Sequence, residues 1–204
     1  EKYGLGYEQL KAEFPKLIYC SITGFGHTGP YAARPGYDAL VQAMGGVMSL
    51  TGDPAGEPMK IGVSIADLMS GMYAGVSILA AVNHQRNTGK GQHIDISMLD
   101  THVAWLANQG MNYLATGEIP ERLGNNHPNI VPYQVMPSAD GYFVLSVGND
   151  PTFERFCEVA GCQNLLEDAR FNKAVERVRN RDHVTETLNE ITRQHPSAWW
   201  LEAL

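Results

Sequence analysis

The run Leu17-Ile18-Tyr19-Cys20-Ser21-Ile22 constrains this chain more than any other segment. It is continuous and β-prone, as expected of a strand buried on both faces. A helical stretch, Tyr7 to Phe14, precedes it, and a Gly/Pro loop from Thr23 to Gly36 follows. Tyr37 to Leu50 then reads as a helix with Leu40, Met44 and Val47 on one face. After a second Gly/Pro-rich loop, Thr51 to Gly62, comes a long apolar helix that carries Asp67 and runs to Arg86. Thr88-Gly89-Lys90-Gly91 is a turn, with Gly89 as the helix stop. Gln92 to Met98 alternates, placing Ile94, Ile96 and Met98 on one side, and reads as a second strand. A helix from Leu99 to Leu114 closes this β–α–β–α region.

Thr116 to Pro137 is rich in proline and reads as a connector. Gly141 to Val147 is a strand. From Thr152 onward the chain is helical and more charged, with Ser197 expected to cap the last helix. The expected organisation is therefore a large α/β domain over 1–115, a linker over 116–135 and a smaller α/β domain over 136–204.

Of the 204 residues, 44% are hydrophobic and 18% charged, an ordinary balance for a globular protein. The net charge of −7 argues against a nucleic-acid surface. The apolar stretch Leu68 to Val82 is broken by Ser70, Gly71, Gly75 and Ser77, is short for a membrane span, and reads as a buried helix. No signal peptide is visible. Cys20, Cys157 and Cys162 are odd in number and lack metal-ligand spacing, which points to a reducing cytoplasm or organelle lumen. The chain opens on Glu1 without Met and stops inside a helical stretch, so a longer parent polypeptide is expected.

Asp67 lies where an irregular stretch becomes a long helix. A first-turn carboxylate faces unpaired backbone N–H groups and the positive end of the helix dipole, which favours its ionised form. Such an aspartate serves as a cap, an anion-repelling wall or a nucleophile, and the residues alone leave the cap reading open. Gly24-Phe25-Gly26-His27-Thr28-Gly29 matches the dinucleotide pattern but does not open into a helix, because Pro30, Pro35 and Gly36 intervene. A loop that lets backbone approach a ligand and a plain crossover turn both fit it. Gly71 and Gly75 mark a close-packing helix face. Asp38 reads as a first-turn acid of its own helix and Tyr37 as a structural or ligand-bonding tyrosine. Of the seven histidines, the loop residues His27 and His127 are the ones to consider near a site. No metal pattern or G-x-S-x-G elbow is present. Arg34, Lys60, Arg86 and Lys90 surround the two loops, available to phosphates or to solvent.

Taken in order, Ser21-Ile22-Thr23-Gly24-Phe25-Gly26, Pro35-Gly36-Tyr37-Asp38, Gln42-Ala43-Met44-Gly45-Gly46, Ile65-Ala66-Asp67, Arg86-Asn87-Thr88-Gly89-Lys90-Gly91-Gln92 and Gly124-Asn125-Asn126-His127-Pro128 resemble the class III coenzyme A-transferases, the CaiB/BaiF family. The resemblance runs from Tyr19 to Cys157. It implies a partial Rossmann-like large domain, the start of a small domain, and a homodimer of interlocked chains. It places the catalytic aspartate on Asp67, which would form aspartyl anhydride and aspartyl–CoA thioester intermediates. It implies acyl-CoA and carboxylic acid substrates, with the coenzyme A thioester as substrate and no permanently bound cofactor, no metal, no nucleic acid and no membrane partner. Gly24, Gly26, His27, Arg34, Tyr37 and His127 become candidate substrate contacts. Gly148 or the Asn125–His127 loop becomes a cover for the site. One branch of the family racemises α-methylacyl-CoA with a histidine where this chain has Tyr37. A tyrosine is poorly suited to proton exchange near neutral pH, which favours the transferase. An NAD-dependent oxidoreductase and a non-catalytic interaction protein are the readings from other classes. A cytoplasmic location is expected.

Overall fold

Two parallel strands joined through a long helix organise the first half of the chain. The structure, a computed structural model, describes residues 2–204. It divides into two compact units, the first ending at Arg122 and the second covering Leu123–Leu204.

In the first unit, α1 (Tyr7–Glu13) leads to β1 (Ile18–Thr23). Then come α2 (Asp38–Met44), α3 (Val47–Leu50), α4 (Ile65–Thr88), β2 (Gln92–Ser97), α5 (Met98–Ala104) and α6 (Ala107–Thr116). β1 and β2 pair in parallel, from Ile18↔Gln92 to Thr23↔Ser97. The two-residue period of a strand sorts their side chains onto two faces. Ile18, Cys20, Ile94 and Ile96 pack with Ala74 and Ala81 of α4. Tyr19, Ser21, His93 and Asp95 share the other face, where Tyr7 of α1 stacks on His93 with ring centroids 5.0 Å apart.

Several expectations need correction. β1 is half-buried rather than buried on both faces, and Ile22 is exposed, because among the described residues β1 pairs with β2 alone. The helix expected from Tyr37 to Leu50 is two helices, broken at Gly45-Gly46, where Gly46 adopts φ +93°. The helix expected from Leu99 to Leu114 breaks at Trp105-Leu106, and Ala107 takes φ +45°, outside helical geometry. The apolar helix is not buried along its length. Ala66, Ser70, Ala74 and Ala81 of α4 are buried, whereas Leu68, Met72, Val76 and Leu79 stay exposed. Burial follows the small residues, since a two-stranded sheet offers one narrow face and alanine lets the helix lie close on it. At 24 residues α4 is also longer than its apolar run suggested, and it meets the length and hydropathy of a membrane span, as core helices also do.

The second unit opens with a hairpin that the sequence reading half missed. β3 (Tyr133–Pro137) falls partly in the expected linker and pairs antiparallel with β4 (Tyr142–Ser146). Then follow α7 (Asp150–Val159), a short 3-10 turn (Gln163–Glu167), α8 (Ala174–Arg179), α9 (Arg181–Thr192) and α10 (Ser197–Ala203). Met136, Phe143, Leu145, Phe153, Phe156, Val184, Leu188 and Trp200 form its core. Ser197 is the first residue of α10, not its cap. The Asp140 carboxylate fills that role instead, accepting the Ser197 N–H at 2.8 Å.

Candidate active site

Asp67 is the third residue of α4, and its side chain is exposed. Ser64 occupies the N-cap position without making a side-chain cap bond. The cap comes from another helix: Asp38 Oδ1 accepts the Ala66 N–H at 2.9 Å. Its other oxygen, Oδ2, accepts a bond from Gln42 Nε2 at 2.8 Å. Gln42 is fully buried. Its Nε2 also reaches the Val63 carbonyl at 3.4 Å, and its Oε1 accepts the Ile61 N–H at 2.8 Å. The irregular segment before Asp67 is thus tied to α2 at Ile61, Val63 and Ala66. From α4 itself, Ser70 Oγ bonds the Ala66 carbonyl at 2.7 Å and lies 3.0 Å from Thr101 Oγ1 of α5.

This arrangement separates two roles that the sequence left together. Asp38 does the capping, so the Asp67 carboxylate is left uncommitted in the first turn of a 24-residue helix. An exposed carboxylate can attack an electrophilic carbonyl or exchange a proton.

The other candidate residues distribute as follows. Gly24 and Gly36 meet backbone to backbone, and a Cβ on Gly24 would fall on Gly36 Cα and 2.7 Å from its nitrogen. That contact fixes the Gly/Pro loop against the start of α2, so Gly24 has a packing reason to be glycine. Tyr37 stands at the N-cap position of α2 with its ring exposed. Through Asp38, these residues connect to the helix of Asp67. Gly26 adopts φ +80° and donates its N–H to Thr23 Oγ1 at 2.9 Å. It lines a cavity of about 330 Å³ with Phe25, Tyr31, Asp95 and Asp100. The His27 N–H donates to Asp95 Oδ2 at 2.8 Å. Its ring lines a cavity of about 790 Å³ with Tyr7, Tyr19, Ser21 and His93. Arg34 lies over the Tyr31 ring at 4.3 Å. His127 belongs to the second unit, where its Nδ1 accepts the Asn129 N–H at 3.1 Å and its ring packs against Tyr133. Gly148 lies between β4 and α7. The Gly24 loop runs on through Gly36 before α2 begins, so its first helix N-terminus is not adjacent to the glycines, as the dinucleotide pattern would need.

Sequence reasoning missed Asp38 and Gln42 as a pair. The signal was available in their i, i+4 spacing on one helix. It also missed His102, which is buried on α5 and whose two ring nitrogens have no hydrogen-bond partner among the described residues. Burial pushes its pKa below the ordinary histidine value, with the Asp38 charge acting the other way.

A parallel β–α–β frame that presents an exposed carboxylate at the N-terminus of its crossover helix is an α/β scaffold suited to carboxylate chemistry. Residues 1–204 match the family described as CoA-transferase family III, and the chain belongs to it. It is 52% identical over 191 residues to the succinate–glutarate CoA-transferase of Agrobacterium fabrum, covering 94% of this chain and 48% of that protein. It is 40% identical over 205 residues to the acetyl-CoA:oxalate CoA-transferase of Acetobacter aceti, covering 100% of this chain and 53% of the relative. A crystal structure of a CaiB/BaiF family protein from Brucella suis superposes with a TM-score of 0.80 at 52% identity, over 98% of this chain and 53% of that one. The chain thus spans about half the length of these relatives.

Proposed function

We propose that this protein is an acyl-CoA:carboxylate CoA-transferase that uses Asp67 as a covalent nucleophile. The observation that carries the reading is the division of labour at α4: Asp38 caps the helix and Asp67 is left exposed in its first turn. Asp67 Oδ attacks the donor thioester carbonyl, expelling coenzyme A thiolate and leaving a mixed anhydride. The thiolate attacks the aspartyl carbonyl, releasing the donor acid as its carboxylate and forming an aspartyl–CoA thioester. The acceptor carboxylate attacks that carbonyl and again expels thiolate. The thiolate then takes the acceptor acyl group, giving the new acyl-CoA and restoring Asp67. Each step exchanges one carbonyl substituent for another, so no redox or metal chemistry is required by the balance, whereas water must be kept from the anhydrides.

The acids we propose are short dicarboxylates of the succinate, glutarate and oxalate type, after the names of the similar enzymes. Action as a homodimer in the cytoplasm belongs to the same reading. Gly24, Gly26, His27, Arg34, Tyr37 and His127 remain proposed substrate contacts. The test is incubation of the native-length enzyme with a panel of acyl-CoA thioesters, hydroxylamine trapping and peptide mass spectrometry. A hydroxamate on Asp67 that depends on acyl-CoA supports the reading. Solvent deuterium entering the α-carbon of an acyl-CoA, with Asp67 unlabelled, would replace it with racemisation.

A further inference from the structure

A nucleophile that attacks a bound thioester must be held within about 3–3.5 Å of its target carbon and correctly oriented. Asp67 stands in the first turn of α4, just after a segment without regular structure: residues 51–64 carry no strand and run between α3 and α4. The position of Asp67 therefore depends on the packing of α4 and on whatever fixes its first turn and the residues leading into it. Three backbone groups there, Ile61 N–H, the Val63 carbonyl and Ala66 N–H, are bonded to Asp38 or Gln42.

We propose that Asp38 and Gln42 are a positioning pair for Asp67, a role that rests on the covalent reading above. The pair is polarised. Asp38 offers two acceptors, one to Ala66 N–H and one to Gln42 Nε2. Gln42 offers its oxygen to Ile61 and its NH₂ to Asp38 and Val63. Because Gln42 is fully buried, a mismatch here has no solvent to relieve it. An asparagine at 38 would keep the bond to Ala66 but set NH₂ against NH₂ at Gln42. A glutamate at 42 would then restore a donor–acceptor pair and keep the bond to Ile61, while its second oxygen would face the Val63 carbonyl in place of the 3.4 Å bond from Nε2.

The pair is tested in the native-length enzyme. Asp38→Asn is expected to lower kcat and the rate of Asp67 labelling by about ten- to a hundredfold, with both KM values within about twofold. Gln42→Met, which removes the same bond from the other side, is expected to behave alike, with rates expressed per folded enzyme. The double variant Asp38→Asn/Gln42→Glu is expected to recover most of the loss. Leu188→Ala, buried in the core of the second unit, is expected to lower the melting temperature while leaving kcat unchanged. Wild-type kcat in Asp38→Asn, or a double variant no faster than the single, overturns the pairing while leaving the transferase reading standing. Failure of wild-type Asp67 to label overturns the transferase reading, and the positioning role with it.

Discussion

The Asp38 carboxylate accepts the backbone N–H of Ala66, the residue before Asp67, at 2.9 Å. A helix that begins at Ile65 is thus capped by a side chain from α2. The consequence for Asp67 is that its removal costs the fold little.

Asp67→Asn is accordingly expected to abolish turnover, by at least about a thousandfold, while changing stability by no more than about 1 kcal/mol, the scale of a lost helix-dipole contact. Steady-state rates and urea denaturation on the same preparation check both halves. Substantial residual turnover would return Asp67 to a structural role.

Gly24 and Gly36 supply a second expectation. A Cβ on either would overlap the backbone of the other, and backbone cannot swing aside as a side chain does. Gly24→Ala and Gly36→Ala are each expected to cost about 2–3 kcal/mol, as overpacking does. Gly148→Ala meets nothing within 4 Å and should stay within about 0.5 kcal/mol of wild type. Chemical denaturation of the three variants gives the order directly.

Much of this frame could be read from the sequence, for physical reasons that also mark where reading stopped. The β1 run, the alternating β2 and the Gly89 stop are local signals, and each produces its element at or near the expected residues. The place of Asp67 in the first turn of a long helix was legible because the loop-to-helix transition is local too. The breaks at Gly46 and Ala107 were missed because an apolar pattern continues across them while the backbone does not. β3 was missed because Pro132 precedes and Pro137 ends a short strand that reads as loop. The cap of α4 was left open because Asp38 and Ala66 are close only in the folded chain. Nothing in the sequence around Asp38 says whose amide it holds. The burial of α4 was overestimated because hydrophobicity reports a preference, while packing depends on which surfaces are available to cover it.

In the second unit, Arg177 is 1% exposed. Its Nε donates to the Val131 carbonyl at 2.9 Å, one terminal nitrogen to the Phe171 carbonyl at 2.7 Å and the other to Asp150 Oδ1 at 3.1 Å. Burial lowers its pKa and Asp150 opposes that shift. Asp150→Ala leaves a buried guanidinium without its counter-charge, expected to cost about 3 kcal/mol. Arg177→Lys keeps the charge but lacks the planar fork that reaches all three acceptors, so it should cost about 2 kcal/mol as the lost bonds leave buried carbonyls unpaired. Urea denaturation of the native-length protein followed by tryptophan fluorescence, to which Trp199 and Trp200 of this unit contribute, reads both. A lysine variant as stable as wild type would show that the fork geometry is unimportant.

His102 is expected to make the fold sensitive to acid. Its side chain is buried between α2 and α5, so close to Gly45 that a Cβ there would lie 2.6 Å from the imidazole Cδ2. Burial pushes its pKa below the ordinary value of 6.5, against the raising effect of Asp38. The folded state therefore holds this imidazole neutral at pH values where the unfolded chain already binds a proton. Between the ordinary value and the lower folded one, unfolding takes up a proton, so stability rises with pH in that window and is lost as pH falls through it. Above it the histidine contributes no pH dependence, because both states are neutral there. Urea denaturation of wild type and His102→Leu at pH 7.5, 6.5 and 5.5 isolates this contribution. Wild type is expected to lose more stability than the leucine variant on going from pH 7.5 to 5.5. Parallel loss in the two proteins would assign the acid sensitivity to other groups.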